Sequence, residues 1–275
     1  MINIIMKKDG SMDNNLRRIK EKISRKEITL GTCVSLTDPE IAEVFCSVGF
    51  DFIWIDGEHS SLDNSMINMH IAAIRGWGVA PIVRVPWNDP VRVKPILEMG
   101  PAGIIFPLVK TAEEAKQAVY SCKYPPRGIR GFGPRRANKY SSIILGDYLK
   151  QSENEPWVMI QIEHIDGVNN LEEIVKLEGV DCIVIGPMDL SGSIGLLGQT
   201  DHIEVIKLFD RIAEICNRNN TIFLPSIGYD NIENLKSWIK RGASIFCLDW
   251  DIGHLIKSGK NAIDSAIKAK EELKK

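Results

Sequence analysis

Short apolar runs alternate with amphipathic segments eight times along this 275-residue chain, and this alternation restricts the fold more than any other feature. The apolar runs lie near residues 30–35, 52–55, 81–85, 103–106, 158–162, 182–185, 222–225 and 245–248. Each is followed by a helical pattern, near residues 39–48, 64–75, 90–99, 112–122, 168–177, 203–217, 231–241 and 252–272. Unbroken apolar runs are typical of parallel strands that are buried on both faces. The alternation therefore predicts an α/β protein, and eight units favour a closed (β/α)8 TIM barrel.

The chain divides into two parts, an N-terminal extension with a lead-in helix (residues 1–27) and the barrel (residues 28–275). The lead-in helix is expected from Leu16 onward, where apolar residues recur at helical spacing in a basic segment.

One connection, residues 123–156, is much longer than the others, and loops of this length are commonly functional. It carries Arg127, Arg130, Arg135 and Arg136 among glycines and prolines. We interpret it as an excursion toward the substrate or a neighbouring subunit, which leaves the barrel from its catalytic end after the fourth strand. The alternative is a solvated basic loop.

Charge and cysteine content narrow the class of partner. The formal net charge is −2, so nothing favours a nucleic acid or an anionic membrane, whereas a small-molecule substrate fits. The six cysteines stand singly in apolar stretches without the C-x-x-C spacing of metal or redox sites. They predict buried, reduced thiols and a cytoplasmic protein. No apolar run in the sequence approaches the roughly 20 residues of a membrane span.

Ionisable residues stand at the ends of four predicted strands. Asp56, Arg84 and Glu163 each come at the end of an apolar run, and Asp189 follows the sixth run after a short turn. The carboxyl ends of the strands meet at one face of an α/β barrel, where such enzymes keep their active sites. We therefore expect these side chains to share one pocket.

Two of these carboxylates are candidate metal ligands, and a third stands near a histidine. Glu163 and Asp189 offer hard oxygen ligands that suit Mg²⁺ or Mn²⁺, with water and substrate in the remaining positions. Asp56 precedes His59 by three residues, and an aspartate within reach of a histidine sets its tautomer and raises its basicity. Alternatively, Asp56 caps a helix and His59 is a surface residue.

Arg84 and the turn after the sixth strand are candidates for binding anionic groups. An arginine at the end of a buried strand needs a partner, so Arg84 either forms a structural ion pair or is aimed at a developing oxyanion. Gly186 permits a tight turn into a helix, and the free amides of Met188 and Asp189 at its start are suited to a carboxylate.

Five segments strengthen this interpretation when they are taken together: residues 49–59 (GFDFIWIDGEH), 83–90, 124–131 (YPPRGIRG), 161–163 and 186–195. In this order they resemble the HpcH/HpaI aldolase family, the class II pyruvate aldolases of the phosphoenolpyruvate/pyruvate-binding barrel superfamily. The resemblance covers residues 28–252. It implies metal-dependent, reversible aldol cleavage of a 4-hydroxy-2-oxo acid to pyruvate and an aldehyde, through a metal-stabilised pyruvate enolate. It also implies oxaloacetate decarboxylation as a side reaction through the same enolate.

The resemblance further implies a role for each candidate residue. Glu163 and Asp189 would hold Mg²⁺, Mn²⁺ or Co²⁺, and Arg84 would stabilise the enolate oxygen. His59, oriented by Asp56, would handle the proton of the aldol hydroxyl. The substrate would be contacted by Gln161, Gly186, Met188, Asp189 and, across a subunit boundary, Trp87. The family is usually hexameric and exchanges its last helix between subunits, so a homo-oligomer is expected.

The segment after the eighth strand departs from the family. Asp251 matches the family's usual aspartate, but Asp249 stands where a small residue is usual. We expect Asp249 either to pair with an arginine of the long connection or to disfavour an acidic aldehyde.

Three other functions are alternatives. A coenzyme A thioester lyase of the same superfamily, acting on malyl- or citryl-CoA, shares the metal chemistry. A Schiff-base aldolase needs a lysine of lowered pKa, for which Lys110 is the only loosely placed candidate. A non-catalytic barrel is the third, and the presence of Arg84, His59 and both metal candidates argues against it.

Overall fold

A closed, eight-stranded parallel barrel forms the centre of the computed structural model, which describes residues 14–229 and 231–274. The strands are β1 (Thr29–Val34), β2 (Phe52–Asp56), β3 (Ala80–Arg84), β4 (Gly103–Phe106), β5 (Trp157–Ile162), β6 (Cys182–Ile185), β7 (Ile222–Ile227) and β8 (Ile245–Trp250). Each strand pairs in parallel with the next, and β8 closes the barrel against β1. The predicted (β/α)8 barrel is confirmed. The predicted extension up to residue 13 lies outside the described residues.

Helices surround the barrel, and the first of them precedes β1. They are α1 (Leu16–Ser24), α2 (Glu40–Val48), α3 (Asn64–Arg75), α4 (Pro90–Met99), α5 (Ala112–Cys122), α6 (Leu145–Ser152), α7 (Ile165–Asn169), α8 (Leu171–Ile174), α9 (Pro187–Gly192), α10 (Ile203–Arg218), α11 (Ile232–Lys240) and α12 (Asp251–Glu272). The helix predicted near residues 168–177 is instead the pair α7 and α8. It breaks at Asn170, whose side-chain amide donates to the Lys110 carbonyl oxygen at 2.8 Å.

Helix α1 closes the N-terminal end of the barrel, and the helix predicted from Leu16 is thereby confirmed. Leu16 and Ile19 are fully buried and pack with interior side chains such as Phe52. The Lys22 ammonium lies 2.7 Å from the Asp51 carboxylate next to β2, which anchors the helix. Because α1 closes the N-terminal end, a ligand can enter the barrel only from the carboxyl ends of the strands.

The last helix, α12, packs against the barrel mainly through its first two turns. Asp251 and Gly253 are its buried residues, whereas Leu255, Ile263 and Ile267 each expose more than half of their surface. These exposed apolar side chains lie on a helix that also carries many charged residues. Neither α12 nor any other helix within the described ranges is long and apolar enough to cross a bilayer.

The long connection, residues 123–156, leaves from the N-terminal end of the barrel, because it follows α5 and precedes β5. The expectation that it leaves from the catalytic end is therefore wrong. Arg130 is buried 3.2 Å from Glu98 on α4 and stacks over Tyr124, 4.5 Å from the ring centre. Arg136 donates to the Asn68 carbonyl oxygen on α3 at 3.2 Å. These two arginines fasten the connection to the outer helices.

Candidate active site

The alternation of side chains along each strand places charged residues inside the mouth of the barrel. Trp54 and Ile82 belong to the cluster that fills the interior, and residues two apart on a strand share a face. Asp56 and Arg84 therefore point inward at the carboxyl ends of β2 and β3. They are 5 % and 9 % exposed, so their charges must be satisfied within the protein.

Arg84 joins two carboxylates. Its Nε lies 2.8 Å from Asp56 Oδ1 and its Nη2 lies 2.6 Å from Asp56 Oδ2, which makes a bidentate pair. Its Nη1 lies 2.9 Å from Glu58 Oε2. A bidentate arginine–carboxylate pair has a fixed geometry. The pair holds the guanidinium in one orientation at the floor of the mouth, against the face of Trp54, 5.0 Å from the ring centre.

The structure corrects the expected orientation of His59. Both oxygens of Asp56 are taken by Arg84, and Oδ1 also accepts the backbone amide of Glu58 at 3.0 Å. The His59 side chain is 68 % exposed, and the carboxylate beside it is Glu58, with 3.8 Å between His59 Nε2 and Glu58 Oε2. The prediction that Asp56 orients the imidazole is wrong, because the stronger cation Arg84 occupies that carboxylate.

Glu163 lies at the carboxyl end of β5 and is 3 % exposed. Its Oε1 accepts the Leu108 backbone amide at 2.8 Å, and its Oε2 accepts the side-chain amide of Gln161. A Cβ at position 186 would stand 2.6 Å from Glu163 Oε2. Glycine at position 186 therefore leaves the space that the carboxylate occupies at the end of β6.

Burial raises the pKa of Glu163 to about 7. The Leu108 amide and Gln161 oppose this rise, while the nearby carboxylates of Glu58 and Asp189 add to it. Desolvation disfavours the charged form of an acid, and neighbouring negative charge does the same. An uncompensated, buried carboxylate of this kind is suited to a cation.

A divalent metal fits the residues present. Glu163 and Asp189 supply hard carboxylate oxygens, and the buried Gln161 Oε1 has no hydrogen-bond partner among the described residues. Within residues 14–229 and 231–274, no group of three or more histidine, cysteine, aspartate or glutamate side chains is arranged to hold a metal. Two carboxylates with open positions suit Mg²⁺, which keeps several waters and binds substrate oxygens.

A cavity of about 700 Å³ opens at the carboxyl ends of the strands. Of the residues chosen from the sequence, it brings together Asp56, Arg84, Gln161, Gly186, Met188 and Asp189. Glu163 lies behind this lining, against Gln161 and Gly186, the residue after β6. His59 and Trp87 are exposed and are not among its described lining residues.

Several lining residues were not selected from the sequence. They include Cys33, Trp54, Lys257 and Lys260. The inward parity of β1 and β2 identifies Cys33 and Trp54 once the strand register is known. No sequence signal identifies the two lysines, because they reach the cavity only through the direction in which α12 leaves β8.

The acids of the β8 segment have partners other than those expected. Asp249 Oδ2 lies 2.5 Å from Lys257 Nζ, so it pairs with this lysine rather than with an arginine of the long connection. Asp251 is fully buried and accepts the Ser35 and Leu36 amides at 2.6 and 2.7 Å. It fastens the loop after β1 to the start of α12. Lys110 is not among the described residues that line the cavity, which removes the geometric basis of a Schiff base there.

An α/β barrel with an arginine–carboxylate cluster and a large cavity at the carboxyl ends of its strands defines a barrel enzyme. The sequence matches the HpcH/HpaI aldolase/citrate lyase family over residues 30–258. The chain belongs to this family and is a carbon–carbon lyase of the aldolase type.

Relatives and solved structures agree with this assignment. The 5-keto-4-deoxy-D-glucarate aldolase of Shigella boydii is 37 % identical over 238 residues, which are 86 % of this chain and 91 % of the relative. The HpcH/HpaI aldolase structure from Desulfitobacterium hafniense superposes with a TM-score of 0.84 at 26 % identity, covering 90 % of this chain and 96 % of that one. The citrate synthase SbnG has a TM-score of 0.82 at 28 % identity, over 92 % and 98 %.

Proposed function

We propose that this chain catalyses metal-dependent, reversible cleavage of a 4-hydroxy-2-oxo acid to pyruvate and an aldehyde. The observation that carries the proposal is the buried Glu163 carboxylate, with its pKa raised to about 7, at the same barrel mouth as the Arg84 cluster. Mg²⁺, Mn²⁺ or Co²⁺ held by Glu163 and Asp189 would act as a Lewis acid on the keto group of the substrate.

Arg84 is the residue proposed to stabilise the enolate oxygen. Its guanidinium is oriented by Asp56 and Glu58 and lines the cavity, so it needs little reorganisation when negative charge develops. Donors that are fixed in advance at a developing oxyanion are commonly the largest single contribution to catalysis. Asp56 acts here as a positioning residue for Arg84.

The pyruvate carboxylate is proposed to bind at the start of α9. The first turn of a helix leaves its amides without partners inside the helix, and the amides of Met188 and Asp189 belong to this turn. Both residues line the cavity, and Gln161 lines it beside them. Pyruvate would then lie between α9 and Arg84, with the aldehyde half in the remaining volume.

His59 is proposed to take the proton of the aldol hydroxyl, with Glu58 as the carboxylate beside its ring. Replacement by alanine is expected to lower kcat for aldol cleavage by about 100-fold, within the usual range for loss of a general base. Oxaloacetate decarboxylation should change little, because that substrate has no hydroxyl proton to remove. Steady-state kinetics of both reactions on His59→Ala measure the difference, and equal losses would contradict the role.

The aldehyde half is proposed to be a short-chain, acidic aldehyde. Two curated relatives, 37 % and 36 % identical to this chain, are named 5-keto-4-deoxy-D-glucarate aldolases. Cleavage of that acid between the carbinol and methylene carbons releases pyruvate and tartronate semialdehyde, which carries a hydroxyl and a carboxylate. The cavity of about 700 Å³ has room for both fragments.

The decisive experiment is solvent exchange of the pyruvate methyl group. Metal-loaded protein in deuterium oxide is expected to exchange these protons, which proton NMR follows, because enolate formation requires no aldehyde. Chelation should stop the exchange, and Mg²⁺, Mn²⁺ or Co²⁺ should restore it. Borohydride added with pyruvate should leave activity intact, since no Schiff base forms. Absence of exchange with any of the three metals would exclude the proposed function.

The active form is proposed to be a homo-oligomer in which α12 is exchanged between subunits. The exposed apolar side chains of Leu255, Ile263 and Ile267 on α12 support this, because water is an unfavourable environment for them. Sedimentation velocity of the full chain measures the assembly, and a monomer at micromolar concentration would contradict it.

The six free thiols fit the proposed cytoplasmic location.

A further inference from the structure

The rim of the cavity beside β8 contains an aspartate in an unfavourable backbone conformation. Asp249 has a φ of +60°, in the left-handed region that residues other than glycine rarely adopt. Its side chain is only 5 % exposed, and its Oδ1 accepts the Trp250 amide at 3.0 Å. A residue in this conformation persists where the surrounding contacts require it. The contacts of its carboxylate therefore indicate what the aspartate does.

The carboxylate of Asp249 lies over Gly253 in the first turn of α12. A Cβ at position 253 would stand 2.3 Å from Asp249 Oδ1, so only glycine leaves room for the acid. From this position Asp249 Oδ2 reaches Lys257 Nζ at 2.5 Å. The same ammonium lies 4.1 Å from the centre of the Tyr229 ring. Tyr229 is itself stacked on His254, with 5.2 Å between ring centres.

The Lys257 ammonium is thus held from two sides at the wall of the cavity. All of these contacts except that of Tyr229 lie within residues 249–257, so they do not depend on where the rest of α12 packs. The same continuous cavity is lined by Arg84 at its inner end and by Lys257 and Lys260 on the α12 side. A substrate with pyruvate near Arg84 therefore extends toward Lys257.

We infer that Lys257, positioned by Asp249 and Tyr229, is a specificity-determining residue that binds a carboxylate on the aldehyde half of the substrate. This inference rests on the proposed function. An ammonium donates charge-assisted hydrogen bonds to a carboxylate, and Lys260 follows on the same helix. Arg84 lines the inner end of the cavity, where it is the proposed donor to the enolate oxygen, so it is not assigned to the aldehyde half. Asp201 lines another part of the cavity and disfavours an anion there.

Asp249 has a second effect, because it competes with the substrate for the same ammonium. A glycine at position 249 adopts the left-handed conformation without strain and removes this competitor. Asp249→Gly is therefore expected to strengthen binding of an acidic aldehyde, whereas Lys257→Met is expected to weaken it. If the ion pair were only structural, both replacements would weaken binding of the aldehyde. Opposite effects of Asp249→Gly and Lys257→Met therefore indicate that Lys257 binds the substrate.

The test is aldol addition of pyruvate to succinic semialdehyde or to pentanal, a neutral aldehyde of similar length. Lys257→Met is expected to raise KM for succinic semialdehyde about tenfold, the effect of losing one hydrogen bond to a charged group, and to leave pentanal unchanged. Lys257→Arg should restore most of the preference. Asp249→Gly should lower KM for succinic semialdehyde about threefold, the size expected for release of a partly exposed ion pair.

Matched control variants separate a loss of carboxylate binding from a loss of the fold. Lys268→Met removes an exposed lysine further along α12 and should change neither KM. The double variant Asp249→Gly with Lys257→Met removes both members of this ion pair, and it should retain the fold and the pentanal reaction. Equal losses for both aldehydes in Lys257→Met, or no change for either, would overturn the inference. Failure of the wild type to exchange pyruvate protons would instead overturn the proposed function.

Discussion

Replacing Arg84 by lysine is expected to lower kcat for aldol cleavage by about 100-fold, because a preorganised oxyanion donor is lost. Lysine keeps a positive charge near Asp56, so the buried carboxylate is not left without a cation. It cannot reproduce the bidentate contact at 2.8 and 2.6 Å or the third contact with Glu58. Metal affinity should stay near the wild-type value, since Arg84 is not a proposed ligand.

Steady-state kinetics with both 4-hydroxy-2-oxo acids and oxaloacetate measure this prediction, and calorimetry with Mn²⁺ measures metal binding. Both reactions should slow together, because each passes through the same enolate, unlike in the His59 variant. Arg17→Met, on the exposed surface of α1, is the matched control. Cleavage at the wild-type rate in Arg84→Lys would reduce Arg84 to a structural partner of Asp56 and Glu58.

Glu163→Gln is expected to weaken Mn²⁺ binding by more than about 100-fold. Replacing a residue that only supports a metal ligand already lowers metal affinity by about 10- to 100-fold. The amide keeps the shape of the side chain and its acceptor oxygen for the Leu108 amide. It removes the negative charge that the metal requires. Calorimetric titration with Mn²⁺ measures the loss. Glu113→Gln, at an exposed position in the first turn of α5, should bind metal as the wild type does.

The same residue predicts a pH dependence of metal binding. Burial raises the pKa of Glu163 to about 7, so the metal-free protein carries a proton there below this pH, and the metal must displace it. Affinity should therefore fall about tenfold for each pH unit below 7 and level off above 7. In Glu163→Gln this part of the pH dependence should disappear. An unchanged slope in the variant would assign the titration to another group.

The raised pKa also has a consequence for stability without metal. Between its ordinary value of 4.5 and about 7, Glu163 is protonated in the folded chain and ionised in the unfolded chain. Stability from this group is therefore present at low pH and is lost as pH rises through this window. In thermal unfolding of the metal-free proteins, the melting temperature of Glu163→Gln should rise relative to that of the wild type between pH 5 and pH 8. The ionised carboxylate therefore destabilises the metal-free fold, and a bound metal would offset this effect.

Local patterns were sufficient to predict most of the barrel and part of its site. The apolar runs that end at Asp56, Arg84 and Glu163 are strands whose last inward positions are charged, as the sequence predicts. Periodicity is a local property, and each run is long enough to express it. It failed at residues 168–177, where the hydrogen bond from Asn170 to the β4–α5 loop ends one helix and a second begins.

Choices between partners could not be predicted in this way. Spacing placed Asp56 near His59, but Arg84, from the next strand, occupies both of its oxygens, because a buried guanidinium has the greater need of a counter-charge. The arginines of the long connection looked suited to the substrate, yet Arg130 is buried against α4. No sequence pattern marks Lys257 as a cavity residue, because it reaches the cavity only through the packing of α12 beside β8.

Sequence patterns alone predict the eight strands, the face on which the strand ends meet, and the acids and the arginine available there. These follow from periodicities of two and 3.6 residues, which need no knowledge of distant contacts. The folded barrel shows which carboxylate holds Arg84, how deeply Glu163 is buried, and that Asp249 and Lys257 form one wall of the cavity. Desolvation and ion pairing depend on groups that are far apart in the chain, and these groups meet only when the barrel closes.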